Sequence, residues 1–183
     1  MSGSIGMALI AELESLIPAL RRYASAMIRD RDLADDLVQD CLERAIGNWD
    51  ARRQAENSRQ WVFAIAHHLI VSQLRQRARR GLHIDIADVD EGALAALAPQ
   101  EHRVHHGELM KALAALPEDQ RSVILLVSVE DLTYAETAKT LNIPIGTVMS
   151  RLARARERLQ SALDGGLNVE ARPKDVPILR RMK

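Results

Sequence analysis

An all-α fold of two small helical domains is what this 183-residue sequence predicts. Aromatic residues make up only 3% of the chain while alanine and leucine are abundant, a balance that favours helices over sheets. Apolar residues recur at three- and four-residue spacing, and no segment keeps the two-residue alternation of a half-buried strand. Between two such helical stretches lies a change of composition around Gly81–Gly107, which separates a unit over 8–80 from a unit over 108–163.

In the first unit, Leu13, Leu16, Ile17, Leu20, Tyr23, Ala24 and Met27 mark one amphipathic helix. Leu33, Leu37, Val38, Cys41, Leu42 and Ala45 mark a second, whose other face carries Asp35, Asp36, Gln39, Asp40 and Glu43. A polar segment, Gly47 to Gln60, follows. Trp61, Ile65, Leu69 and Leu74 then set a third helix that ends in a basic run with Arg75, Arg77, Arg79 and Arg80. Trp61 opens that apolar stripe and is expected in the core. Residues 81–107 are acidic, weak in periodicity and contain Pro99, and are expected to link the two units with at most one helical turn. A tail over 164–183 carries Gly165, Gly166, Pro173 and Pro177 and is expected to need a partner to order it.

The second unit enters through Leu109, Ala112, Leu113 and Leu116. Pro117 suits the start of a helix, and Glu118 and Asp119 favour the positive end of its dipole. Val123, Ile124 and Val127 give that helix its apolar stripe. Thr133 with Glu136 three residues on is a capping-box pattern, and Tyr134, Ala135, Ala138 and Leu141 supply a short inner face. Asn142 tolerates the left-handed geometry that ends a helix, and Pro144 and Gly146 are expected to punctuate a turn. Thr147 to Gln160 makes a last helix, with Val148, Leu152, Ala155 and Leu159 inward. Arg151, Arg154, Arg156 and Arg158 point outward, and Thr147, Met149 and Ser150 stand at its leading end. A short capped helix, a turn and a basic helix in this order form a helix-turn-helix, whose second helix enters the DNA major groove leading end first. Arginine there can pair with guanine edges or with phosphates. The competing reading is an ordinary amphipathic helix with solvated arginines.

Lys plus Arg and Asp plus Glu number 25 each, so the formal net charge is zero. That zero is a cancellation between faces. From Ala51 to Gly81 there are seven arginines, Arg52, Arg53, Arg59, Arg75, Arg77, Arg79 and Arg80, against Glu56 alone. From Leu82 to Glu101 the charges are Asp85, Asp88, Asp90, Glu91 and Glu101 with no cation. Screening acts over roughly 8–10 Å, so these local patches matter more than the sum. The lone Cys41 excludes an intramolecular disulfide and, on an apolar stripe, is expected to be a packed thiol. No apolar run reaches membrane-spanning length and no signal-like start is present, which points to a cytoplasmic protein without membrane insertion.

Three stretches, ADDLVQDCLERAI at 34–46, WVFAIAHHLIVSQLRQRARR at 61–80 and the block from Leu116 to Gln160, occur together in this order. In this the chain resembles the extracytoplasmic-function (ECF, group IV) class of bacterial RNA polymerase sigma factors, over roughly 10–80 and 108–163. The resemblance implies a sigma region 2 bundle over 8–80 and a sigma region 4 helix-turn-helix over 108–163. It implies that Asp35, Asp36, Gln39 and Asp40 dock on the clamp helices of the core polymerase β′ subunit, with β as a further partner surface. The loop before the third helix, Asp50–Arg59, would capture a base flipped from the −10 element, with Trp49 and Trp61 flanking it. Such a pocket needs polar groups that recognise a base edge, and Asn57, Ser58 and Arg59 are candidates. Arg75, Arg77, Arg79 and Arg80 would lie on promoter phosphates, which supply affinity but little specificity. Thr147, Ser150, Arg151, Arg154 and Arg158 are the candidates for the −35 element. An anti-sigma factor is a further implied partner. His68, Ser72 and Met149 depart from residues common in the family, and the GTVMSRL form resembles the subgroup tied to general stress responses.

Two rivals remain. A one-component helix-turn-helix regulator would use the same second unit with a ligand-sensing or dimerising first unit. A metal-dependent protein would draw on His102, His105 and His106 or on His67 and His68, but these lack the converging Cys or carboxylate support of a metal site. No metal, cofactor or catalytic residue is expected, and the chain is expected not to be an enzyme.

Overall fold

Leu20, Tyr23, Ala24 and Met27 fall on one face of a helix and are all buried, and the rest of the first half is built against that face. The computed structural model describes residues 2–48, 57–80 and 100–166, and side chains over 10–48, 57–80 and 107–164. Among these residues it is all-α: α1 Ser2–Ile28, α2 Arg31–Gly47, α3 Ser58–Arg79, α4 Gln100–Ala115, α5 Glu118–Ser128, α6 Tyr134–Leu141 and α7 Ile145–Gly166. None of the helices described is long and apolar enough to cross a membrane.

α1 closes at Arg29, a left-handed residue (φ 63°) whose N–H reaches Ser25 O at 2.9 Å. Asp30 then caps α2, its carboxylate accepting from Leu33 N at 3.1 Å. α2 and α3 both pack on α1 and on each other. Leu37, Val38, Cys41 and Ala45 from α2 and Val62, Phe63, Ala66, Leu69 and Ile70 from α3 complete the core. Tyr23 meets Phe63 edge to face with ring centroids 5.7 Å apart, and its hydroxyl lies 2.9 Å from His67 Nδ1. Cys41 is the packed thiol its stripe predicts: its Sγ donates to Val62 O, and burial pushes it up to about 12. Trp61 is half-buried against the same core.

In the second half α5 is buried almost throughout, from Ser122 to Val127. α7 lays Val148, Leu152 and Ala155 against it, and α4 and α6 pack on α7 in turn. The two halves are not separate. α1 touches α4 and α5, α3 runs along α6, and the buried apolar side chains of both halves form one continuous cluster.

Several boundaries differ from expectation: α1 starts at Ser2, ahead of residue 8, and α7 runs to Gly166, past Gln160 and into the stretch expected as tail. α4 starts at Gln100 rather than near Glu108, so the end of the stretch expected to be linker is helical. α7 starts at Ile145, which puts Gly146 in its first turn rather than in the preceding turn. The Pro144 carbonyl accepts from the N–H groups of Thr147 and Val148, so the proline starts the helix and Gly146 needs no special backbone. The acidic residues Asp85, Asp88, Asp90 and Glu91, with Trp49, the 50–56 part of the loop and the tail from 167, lie outside the described residues.

Burial holds His67 down at about 4 against an ordinary 6.5, with His68 and Arg75 adding to the effect. The unfolded chain therefore binds this proton more readily. The stability is fully present above pH 6.5 and is lost as pH falls toward 4. Urea unfolding at pH 7.5 and pH 5 is expected to show about 2 kcal/mol more loss in the native chain than in His67→Gln.

Candidate polymerase and nucleic-acid interfaces

α2 buries Ala34, Leu37, Val38, Cys41 and Ala45, and helical spacing then leaves Asp35, Asp36, Gln39 and Asp40 on the exposed face. Arg21 approaches Asp35 at 2.9 Å with both side chains well exposed, and Gln39 Nε2 donates to Glu43 Oε1 at 3.0 Å. A pair so exposed contributes little. The face therefore stays available as an acidic strip, which suits a basic protein surface and repels DNA.

At the start of α3 the three polar candidates are already occupied. Asn57 is the N-cap: its side-chain oxygen accepts from Arg59 N at 2.9 Å and Gln60 N at 3.4 Å. Its amide also donates to Glu136 Oε1 at 2.5 Å. Ser58 Oγ donates to the Glu12 carboxylate. Arg59 Nη2 donates to Glu130 O at 3.0 Å and lies 3.3 Å from Glu130 Oε2, while its guanidinium sits over the Phe63 ring at 5.3 Å.

The basic end of α3 is split. Arg75, Arg79 and Arg80 are exposed. Arg77 instead turns back to Asp30 at 2.6 Å and is largely covered. The Arg77 hydrogen bond and the Leu33 N–H hold the Asp30 carboxyl below its usual range. The structure thus gathers three of the four arginines on a free surface and commits the fourth to joining α3 to the cap of α2.

The helix-turn-helix forms as its sequence requires. Thr133 Oγ1 accepts from Glu136 N at 3.2 Å, and Glu136 Oε2 accepts from Thr133 N at 2.8 Å. The Thr133 hydroxyl, which donates to Glu136 Oε2 at 2.7 Å, and then the Thr133 N–H lower the Glu136 carboxyl. Asn142 ends α6 in left-handed geometry, φ 52°, and Ile143 N closes back on Ala138 O. On α7, Ser150, Arg154 and Arg158 are exposed and Thr147 is half-buried, with Ser150 Oγ donating to Thr147 O. Arg151 is drawn toward α5 by Asp119 at 3.1 Å. Ile145 and Met149 stand 48% and 52% exposed at the leading end.

Sequence reasoning missed Arg22 and Glu130. Glu130 follows the C-cap of α5, is 1% exposed, and receives both Arg22 and Arg59 on Oε2, at 3.1 and 3.3 Å. Arg22 and Glu130 are 108 positions apart, so no local pattern announces the pair. His67 is committed to Tyr23 in the core. The side chains of His102, His105 and His106 lie outside the described residues.

Two family descriptions match the chain: sigma-70 region 4 over residues 106–159, and the sigma2 domain of PhyR over residues 13–67. The ECF RNA polymerase sigma factor EcfG of Rhodopseudomonas palustris is 33% identical over 155 residues, 83% of each chain. The ECF RNA polymerase sigma factor SigC of Mycobacterium tuberculosis is 33% identical over 160 residues, 84% of this chain and 82% of its own. Among solved structures, the sigma factor RpoE in complex with the anti-sigma factor NepR from Bartonella quintana superposes with a TM-score of 0.69 at 34% identity. That match covers 84% of this chain and 95% of RpoE.

Thr133 supports the helix on which α7 is mounted. Thr133→Ala is expected to lower stability by about 1 kcal/mol in chemical denaturation, with no loss of the Asn142 turn.

Proposed function

This chain belongs to the ECF class of RNA polymerase sigma factors, and we propose that it binds core polymerase through the acidic face of α2 and directs initiation at promoters with −10 and −35 elements. One observation carries the reading. An exposed carboxylate strip, an arginine-bearing helix end and a helix-turn-helix with arginines on its second helix occur on one chain in this order. As a sigma factor it is an initiation factor, and the chemistry of RNA synthesis belongs to the polymerase. We place it with the polymerase in the cytoplasm. The one-component regulator falls away with the relatives, which are sigma factors along most of their length.

In this reading residues 8–80 hold the polymerase and the −10 element, and 108–163 hold the −35 element. Asp35, Asp36, Gln39 and Asp40 meet the β′ clamp helices. Asn57, Ser58 and Arg59 recognise −10 bases. Arg75, Arg79 and Arg80 take phosphates, with Arg77 contributing field rather than contact. Thr147, Ser150, Arg154 and Arg158 face the −35 groove, with Arg151 at its edge beside Asp119. The superposition on RpoE covers more of this chain than either half supplies, so its packed arrangement resembles that of a sigma factor held by an anti-sigma protein. We infer that a small anti-sigma partner holds the same arrangement here. The GTVMSRL stretch of α7 favours the general-stress subgroup.

Asp40→Arg puts a like charge against a basic partner surface at an exposed position. It is expected to weaken binding to purified core polymerase roughly tenfold or more while leaving the helical circular dichroism unchanged. Undiminished binding would refute the assignment. Arg154→Ala is expected to cost roughly 1–3 kcal/mol in −35 DNA affinity and relax preference at one base pair. Arg79→Ala should instead weaken all sequences alike and lower the salt slope by about one.

A further inference from the structure

Glu130 is a buried carboxylate held between the two halves of the molecule. It sits between α5 and α6, yet both its cations, Arg22 on α1 and Arg59 on α3, come from the first half. Its Oε1 is buried with no hydrogen-bond partner among the described residues. Burial pushes the Glu130 carboxyl upward and Arg22, more than Arg59, pulls it back. A carboxylate taken out of water costs several kcal/mol unless paired, so this residue is compensated only while the halves are packed together. Two further contacts flank it: Asn57 Nδ2 on Glu136 Oε1 at 2.5 Å, and Thr140 Oγ1 on Gln60 O at 3.5 Å.

The same contacts cover Asn57 and Arg59, the groups assigned above to the −10 element. Promoter geometry makes that coverage consequential. Elements centred near −10 and −35 are roughly 25 base pairs apart, about 85 Å along straight duplex. A packed chain of this length has a radius of gyration of about 16 Å. It cannot place α3 and α7 on both elements at once. The 81–99 stretch, at no more than about 3.5 Å per residue, can span roughly 65 Å when the halves part.

We propose that Glu130, with Arg22 and Arg59, is an intramolecular clasp that holds the free chain in a packed state unable to initiate, with Glu136 and Asn57 as its second contact. The inference rests on the sigma-factor reading for its consequence, though not for the contact itself. The clasp is a bias and not a weld. When the halves part, water solvates all three ions, so the net contribution of the pairing is small while its geometric selectivity is high. Polymerase or promoter DNA opens the chain by offering competing partners, phosphates for Arg59 among them.

The test uses the full chain labelled for single-molecule energy transfer at Glu14→Cys and Ser161→Cys, exposed positions in either half, while the buried Cys41 stays unlabelled. Glu130→Gln and Arg22→Gln are each expected to raise the open fraction about fivefold or more, and the double variant less than the product of the two. Apparent affinity for −10 element DNA, with core polymerase present, should rise by the same factor, because Asn57 and Arg59 are uncovered only in the open fraction. Distance distributions identical in the native chain and both variants would overturn the clasp. Opening with no gain in −10 DNA affinity would overturn its inhibitory role. Should Glu130→Gln lose helical structure, Arg22→Gln alone decides, since Arg22 is well exposed and outside the binding machinery. If the native chain fails to bind polymerase at all, the sigma-factor reading fails, and the distances still decide the contact.

Discussion

A phenol hydroxyl taken fully out of water must find a partner, and Tyr23 finds it in His67 Nδ1 across the core of the first half. That bond fixes the register of α3 against α1. Register of α3 in turn decides which of its residues face outward, and so where Asn57, Arg59 and the Arg75–Arg80 end are presented. The same tyrosine lies against Phe63, over which the Arg59 guanidinium is spread. One buried polar contact thereby connects the hydrophobic core to the groups assigned to promoter DNA, and the neutral His67 is part of what keeps it intact.

From this base the molecule uses its two kinds of packing differently. Within each half, helices meet chiefly through apolar residues, with Arg77–Asp30 and Arg151–Asp119 as pairs at the margin. Between the halves an apolar seam is joined by ion pairs, and the pairs involve residues with a second assignment. Arg59 is both a cation for Glu130 and a candidate for bases; Glu136 both caps α6 and accepts from Asn57. Polar contacts can be exchanged for water or phosphate in a way that a buried leucine cannot. An interface built partly from such groups is suited to opening when a better partner arrives. The acidic strip on α2 takes no part in that interface and remains presented while the chain is packed.

Legibility in the sequence followed the range of the interaction. The capping box at Thr133 and Glu136, the left-handed Asn142 and the buried stripe of α7 were readable because each is decided within a few residues. So were the acidic face of α2 and the thiol of Cys41, which follow from helical spacing alone. Gly146 was misjudged as part of a turn because Pro144 before it signals both a break and a helix start. The early start of α4 was hidden by the weak periodicity of its first turns. The Arg22–Glu130–Arg59 set was invisible for a different reason. Its members come from three places in the chain, and a glutamate after a helix end has no sequence mark of burial. Arg77 shows the same limit: its place in the basic run suggested phosphate, and only packing reveals Asp30 beside it.

Transcription by core RNA polymerase on a pool of native promoter fragments, with and without this protein, tests the central claim most directly. Initiation from a restricted subset of fragments, present only when the chain is added, is the expected result. A core polymerase that initiates with another sigma factor but makes no specific transcript with this chain would contradict the account.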